Sequence, residues 1–293
     1  MIEELLPAGR SAQGVHMVVR VRCSERADGD FRCVAAPAPG LAGARQDHPQ
    51  RQLTEQSRRL LARRRQAQLE GRWTWLNQVH GAGVVNVTTP GAAAGSTADG
   101  AATAVPGAVL ALHTADCAPV VVAVGGALGV AHVGWRGVVA GVLHEVVAAV
   151  RALATQSGGA DTEETGSEET DGDKTDREQA DGEQADGEQA DTEKADTEEM
   201  RALLGPVIRP AAYEFGVDEL ATVAGAVGGD VAAVTSWGAP ALDLAAAVKA
   251  SLRAAGVERM TDTGLDTADE RFFSHRLRGE PARMATAARL EPA

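Results

Sequence analysis

Three apolar runs set the problem for this chain: residues 109–112, 120–124 and 128–133, each short and separated by turn residues. A strand with one wet face alternates polar and apolar residues. Runs without that alternation read as strands covered on both faces. The chain is 44% hydrophobic but only 3% aromatic, so the covering layers must be built from Ala, Val and Leu. Residues 16–21, 73–79, 84–88, 203–208 and 284–290 read as further extended stretches, the last as an edge strand, and 89–97 as a Gly/Ala/Pro loop. Residues 50–68 read as a helix. Residues 137–153 carry Val138, Val142, Leu143, Val146 and Val150 at helical spacing, and helices are expected near 217–227 and 242–254. Strands and helices mix without a clean βαβ repeat. No Gly-x-Gly-x-x-Gly or Walker-type loop occurs, so a dinucleotide or P-loop reading has no foothold. The class expected is α/β.

One segment stands apart from any core. Residues 161–199 hold 18 acidic and 3 basic residues, including consecutive pentapeptides such as Ala180-Asp-Gly-Glu-Gln184. It has too little apolar surface to offset its ordering entropy and reads as a disordered insertion at 157–199. Residues 1–156 and 200–293 then form one domain. The net charge of -13 belongs to the insertion, and the remainder is close to neutral. No Lys/Arg cluster with interleaved aromatics appears, which argues against nucleic acid as a partner. The cysteines, Cys23, Cys33 and Cys117, are too few for a disulfide scaffold and fit a reducing, cytoplasmic setting. Residues 1–10 are too short and acidic for a signal peptide. The apolar stretch 109–133 is broken by His113, Asp116, Cys117 and Pro119, so no membrane span is expected.

The chemistry lies in three short words: Gln78-Val79-His80-Gly81, Thr114-Ala115-Asp116-Cys117 and Ala131-His132-Val133-Gly134-Trp135-Arg136-Gly137. They offer two imidazoles and one thiolate, ligand types that zinc prefers, and three protein ligands leave a fourth position open. Each by itself has a bland reading: a turn histidine, a buried inert cysteine, a core histidine. Each also sits at a strand end or in a Gly-flanked turn, where sheets present functional side chains. Arg136 opens a helix after Gly134, and a guanidinium at a helix N-terminus makes an anion site. Arg26 and Arg276 are alternatives for that role. Asp99 and Asp116 are expected either to orient ligands, to contact substrate or simply to cap turns.

In this order the words resemble the hallmark of the multicopper polyphenol oxidoreductase, or laccase-domain, family (YfiH-like), whose members are mostly described as purine nucleoside phosphorylases. The likeness extends to Ala98-Asp99-Gly100, Leu204-Gly205-Pro206-Val207-Ile208, Tyr213-Glu214-Phe215-Gly216 and Phe272-Phe273-Ser274-His275-Arg276. It implies a mixed-sheet layered sandwich with zinc on His80, Cys117 and His132. The implied catalytic set is those three with Arg136, and Arg26, Asp99, Asp116 and Arg276 would contact substrate. The implied reaction takes adenosine, inosine, guanosine or S-methyl-5'-thioadenosine and phosphate to base and sugar 1-phosphate, with adenosine deamination as a further activity. The chain departs from the family where Arg26 is followed by Ala27-Asp28-Gly29-Asp30, where Ala211-Ala212 replace a cysteine pair, and where Leu277 replaces an arginine. Three other readings compete: a copper-dependent polyphenol oxidase, a cytosolic peptidoglycan-precursor editing factor and a non-catalytic binding module. One set of two histidines and a cysteine could hold a copper ion. Seven histidines without a His-x-His pair do not suit a four-copper relay.

Overall fold

The computed structural model describes residues 1–32, 55–158 and 199–293. Cys33, residues 50–54 of the first expected helix and residues 159–198 of the expected insertion lie outside the described residues. Strands β1 (Ile2–Arg10) and β2 (His16–Cys23) come first, then helix α1 (Glu55–Gln68). Seven strands follow: β3 (Trp73–Asn77), β4 (Val84–Asn86), β5 (Ser96–Thr97), β6 (Gly100–Thr103), β7 (Val109–Thr114), β8 (Ala118–Val124) and β9 (Ala127–Val133). Next are α2 (Trp135–Ala140), α3 (Val142–Gly158), β10 (Arg201–Leu204) and α4 (Val217–Val227). The hairpin β11 (Ala232–Val234) and β12 (Pro240–Leu242) leads to α5 (Leu244–Ala254), β13 (Arg259–Asp262), α6 (His275–Arg278) and β14 (Met284–Pro292).

Two six-stranded mixed sheets form, in the orders β1-β2-β14-β7-β3-β5 and β13-β10-β8-β9-β6-β4. They stack face to face. Leu110 and Leu112 of β7 meet Val121, Ala123, Leu128 and Val130 of β8 and β9 in the core between them. The alternate residues Val109 and Ala111 point the other way, toward Leu61 of α1. Val120, Val122, Ala131 and Val133 pack toward α3, α4 and α5 on the outer face of the second sheet. The stack is therefore helix, sheet, sheet, helices. This explains the unbroken apolar runs: every residue of β7, β8 and β9 is buried because both faces of each strand are covered. A fully buried Val or Leu side chain contributes roughly 1.5–3 kcal/mol, so these strands carry much of the core's stabilisation.

Several expectations change. β14 is no edge strand; it lies between β2 and β7, pairing Thr286 with both Cys23 and Leu112. Its small residues, Ala285, Ala287 and Ala288, are buried on both faces and give no alternation to read. The helix expected at 137–153 is two helices, broken at Gly141 with φ 83°, a left-handed conformation that glycine adopts at low cost. Residues 157 and 158 continue α3 instead of opening the insertion. β10 stops at Leu204, before Gly205-Pro206. β6 is invisible as a strand in the sequence because its residues, Gly-Ala-Ala-Thr, have little β-propensity. The small residues serve α3: a Cβ on Gly100 would come within 2.4 Å of Val146 Cγ2, and one on Gly129 of β9 within 2.5 Å of Val150 Cγ2. Removing side chains at these two points lets α3 lie directly on the sheet beneath the third word.

Candidate metal centre

β3 and β7 are parallel neighbours, so the residues beyond both C-terminal ends emerge at one edge of the first sheet. The Gln78 side chain ties them together. Its amide nitrogen donates to the His113 carbonyl at 2.8 Å, and the His113 N–H donates to its carbonyl oxygen at 2.8 Å. After β7 the chain crosses from the first sheet to the second, where β8 begins at Ala118. The crossing forces Asp116 to φ 101°. Such strain persists only when surrounding bonds over-determine it. Here the Asp116 carboxylate accepts from Thr267 Oγ1 at 2.8 Å, Ser274 Oγ at 2.7 Å and the Arg276 N–H at 2.7 Å. These bonds fix the position of Cys117, the next residue. In the β8–β9 pair, Pro119 lies opposite His132, which brings the third word beside the second.

Asp99, fully buried, joins the first word to the third. Its carboxylate accepts the N–H groups of Val79, His80 and Gly81 at 3.1, 3.0 and 2.8 Å, holding His80 at φ 59°. It also lies 2.8 Å from Nδ1 of His132. With Nδ1 committed to the carboxylate, Nε2 is the atom that His132 has left to offer. Carboxylate–histidine pairs of this kind set the tautomer and ring orientation of a ligand.

The result is one cluster. A ligand atom each from His80, Cys117 and His132 lie within 4.8 Å of one another. The two imidazole centroids are 4.8 Å apart at an interplanar angle of 58°. The spread is slightly wider than the about 4 Å that ligands of one tetrahedral ion keep. His80 is the exposed member of the three. Gly134 shows how tightly the cradle is built: a Cβ there would stand 2.8 Å from His80 Nδ1 and 3.1 Å from Cys117 Sγ. Its φ of -89° suits any residue, so glycine is needed for space alone. Two nitrogens and one sulfur around one point, oriented by a buried carboxylate, can hold a metal ion. Among the described residues this is the one His/Cys/Asp/Glu group that meets those terms.

The electrostatics agree. Burial would raise the Cys117 thiol, but the charge on His132 and hydrogen bonds with both imidazoles outweigh it and hold the thiol below its ordinary value. Burial would lower His132, but the Cys117 thiolate and Asp99 push it up. Asp99 is held low despite burial by its bonds from His132 and the backbone. Both shifts run toward a thiolate on Cys117 beside a protonated His132, whose proton a bound metal would displace.

The expected anion contacts separate. Arg26 is spent on structure: its guanidinium donates to the carbonyls of Glu270 and Phe272 and to Glu280, and it lies over the Phe273 ring. Arg136 is exposed, with its guanidinium 4.3 Å from the Trp135 ring centroid, on a helix of six residues. That helix is too short to give the dipole expected of it. Arg276 is bound to Asp116 through its backbone, and its side chain lies 5.1 Å over Tyr213 while lining a cavity of about 490 Å³ with Glu214, Phe215 and Trp237. The sequence places Gln78 and Gly134 in the words without giving either a role, and it does not single out Trp237. The scarcity of aromatics is the available signal, since Trp135, Tyr213, Phe215 and Trp237 gather beside one site.

The Arg26–Glu280 pair has a measurable consequence. Hydrogen bonds from Arg26, against burial, and then from the Ser274 N–H and Arg278 hold the Glu280 carboxyl down to about 2, from an ordinary 4.5. A carboxyl depressed by folding adds stability above its unfolded value and loses it as pH falls through the folded one. The melting-temperature gap between wild type and Glu280→Gln should be constant above pH about 4.5 and close between about 4.5 and 2. A gap that persists at pH about 2 would show that Glu280 acts by packing.

The family model described as "multi-copper polyphenol oxidoreductase laccase" matches residues 36–160 and 185–291. A purine nucleoside phosphorylase of Xylella fastidiosa (strain 9a5c) is 34% identical over 226 residues, covering 73% of this chain and 70% of that one. A purine nucleoside phosphorylase of Streptomyces coelicolor is 34% identical over 218 residues, 73% of each chain. Among solved structures, YlmD from Geobacillus stearothermophilus has a TM-score of 0.60 at 24% identity, over 94% of this chain and 92% of that one. A Neisseria meningitidis protein of the same fold has a TM-score of 0.60 at 22% identity, over 98% and 99%. The chain belongs to the multi-copper polyphenol oxidoreductase (laccase) family.

Proposed function

We propose that the protein is a zinc-dependent purine nucleoside phosphorylase. The observation that carries this reading is the gathering of His80, Cys117 and His132 within 4.8 Å of one another, together with a cavity lined by Arg276, whose N–H bonds Asp116 next to Cys117. The relatives named as purine nucleoside phosphorylases supply the reaction class. In phosphorolysis a phosphate oxygen bonds to C1' of the sugar, the C1'–N9 bond breaks, and the base leaves with its bonding pair and takes up a proton. Substrates would be adenosine, inosine, guanosine and S-methyl-5'-thioadenosine, with hydrolytic deamination of adenosine as a second activity. Zinc held by the three residues would supply Lewis acidity to a phosphate or substrate oxygen. Asp99 keeps His132 in one orientation, and Asp116 keeps Cys117 in place. Arg276 is the better of the proposed phosphate contacts, because it lines the cavity, whereas Arg26 already has its partners and Arg136 lies over Trp135. Zinc suits a set of two imidazole nitrogens and one thiolate with an open position, and one such set holds a single ion where a copper relay needs four.

The test combines elemental analysis of purified protein with base release from inosine and adenosine. About one zinc per chain and release that requires phosphate support the reading. Base release indifferent to phosphate, or oxidation of a phenol by a copper-loaded protein in its place, would overturn it.

A further inference from the structure

An arginine that the sequence does not single out meets the second word from the side of β14. Antiparallel pairing sets Met284 of β14 opposite Thr114 of β7, and Ala285 opposite His113. Arg283, the residue before β14, therefore comes in beside Ala115, two residues before Cys117. Its backbone is fixed on both sides. The N–H donates to Asp30 Oδ1 at 2.9 Å, and the carbonyl accepts the Phe31 N–H at 2.9 Å. One corner of the guanidinium is fixed as well: Nη1 donates to the carbonyls of Glu280, Pro281 and Ala282 at 3.2, 2.9 and 3.0 Å. The edge formed by Nε and Nη2 has no hydrogen-bond partner among the described residues.

No carboxylate compensates the charge. Arg20, Arg22, Arg26, Arg209 and Arg289 are partly buried, as Arg283 is, and each pairs with an Asp or Glu. Among the described residues no such pair includes Arg283. The two carboxylates nearest in the chain's path are committed elsewhere. Asp30 Oδ1 accepts the backbone N–H groups of Arg32 and Arg283, and the Asp116 carboxylate holds Thr267, Ser274 and the Arg276 N–H. A charge withdrawn from water without a counter-charge is costly, so a group of this kind marks a place that a ligand can complete. Burial lowers the basicity of the Arg283 guanidinium, and the charge of Cys117 opposes this ahead of that of Asp30. Burial, and then the charges of Arg65, His132 and Arg283, hold the His113 imidazole down to about 3. Arg283 is thus within electrostatic reach of Cys117, and His113 is within reach of both Arg283 and His132.

We infer that the unpartnered edge of Arg283 is a seat for inorganic phosphate, with Nε and Nη2 donating side by side to two of its oxygens. The inference rests on the phosphorylase reading above and adds a substrate contact to it. Two parallel N–H groups on one planar edge match the spacing of two phosphate oxygens, and such charge-assisted pairs are among the stronger hydrogen bonds. The seat is built before the ligand arrives, because Asp30, Phe31 and three carbonyls already hold the residue. Two oxygens held in this way leave another to bond C1'. Lysine would bring a charge to the same place without the fork.

The experiment titrates the purified protein with inorganic phosphate by calorimetry and measures KM for phosphate and for inosine in base release. It compares wild type, Arg283→Gln and Arg283→Lys, with zinc content and Tm as controls. Arg283→Gln should weaken phosphate binding and raise the phosphate KM by about tenfold or more, as expected for hydrogen bonds to a charged group, and leave the inosine KM in place. Arg283→Lys should recover part of the loss. Arg63→Gln, which removes an exposed arginine of α1, should change neither value; an equal effect there would mean that general charge acts, and would overturn the seat. Unchanged phosphate affinity in Arg283→Gln with intact zinc overturns the inference. Where glutamine unfolds the protein, wild-type phosphate affinity in the lysine variant overturns the paired bonds. Titration with adenosine 5'-monophosphate separates the sources of phosphate: dependence on Arg283 for the nucleotide alone would overturn the assignment to the inorganic ion. Phosphate binding that needs Arg283, in a protein that releases no base, would keep the seat and remove the phosphorylase. Phosphate-dependent base release with an unchanged phosphate KM in Arg283→Gln would keep the phosphorylase and remove the seat.

Discussion

Cys117→Ser should leave the fold standing and strip most of the zinc proposed for this centre. The serine hydroxyl does not ionise near neutral pH, so the centre loses its one anionic ligand while both histidines stay in place. The surrounding bonds do not depend on sulfur: Asp116 remains tied to Thr267, Ser274 and Arg276, and Ala118 begins the same buried strand. Loss of a residue that merely supports a ligand typically costs about 10–100-fold in metal affinity or activity. Loss of the ligand itself should exceed that, with kcat/KM for phosphorolysis falling more than about a hundredfold. The measurements are zinc per chain by elemental analysis and phosphate-dependent base release, with Tm as the control for folding. Full zinc content in the variant would remove Cys117 from the centre.

Gly134→Ala should do comparable damage with a single methyl group. The backbone at Gly134 is extended, so alanine fits the chain there without strain. The added carbon has no room, since His80 and Cys117 crowd the position from one side. His80 is the exposed partner and would be displaced first. The expected result is a fall in zinc affinity of at least the roughly 10–100-fold seen for ligand-supporting residues, with near wild-type Tm. If Tm drops by many degrees and zinc remains, the glycine serves packing and the cradle reading fails.

The parts of this fold that can be read in advance are those with one dominant physical cause. β7, β8 and β9 announce themselves because burial on both faces leaves the strands almost wholly apolar. α4 matches because its apolar stripe is unbroken and a glycine flanks it at each end. β6 and β14 are harder, because their residues are small for the sake of neighbours that lie far away in sequence. The ligand cluster is legible as chemistry in three words, and its convergence depends on crossings between sheets that no local pattern encodes. The arginines are the least legible. Arg26 and Arg276 look alike in sequence, and only the location of Glu280 and the carbonyls of Glu270 and Phe272 distinguishes a clamp from a cavity wall. Asp99 has several jobs open to it in the sequence, and the geometry combines two of them: it caps the turn of the first word and orients the histidine of the third.

The place of β14 has a consequence for how the centre is made. Among the described residues it is the strand that links the β1–β2 hairpin to β7, the strand that leads into Cys117. Everything it joins is synthesised long before it. A growing chain can therefore pair β8 with β9 and bring Cys117 to His132 early, but it cannot lock β2 to β7 until residues 284–292 have left the ribosome. Contacts this distant in sequence are slow to form. The first sheet is a late assembly step, and Ser274 and Arg276, which steady Asp116, arrive in the same interval. Competence to hold metal firmly should then appear near the end of translation, and a nascent chain arrested before β14 would carry all three ligands without the frame that aligns them.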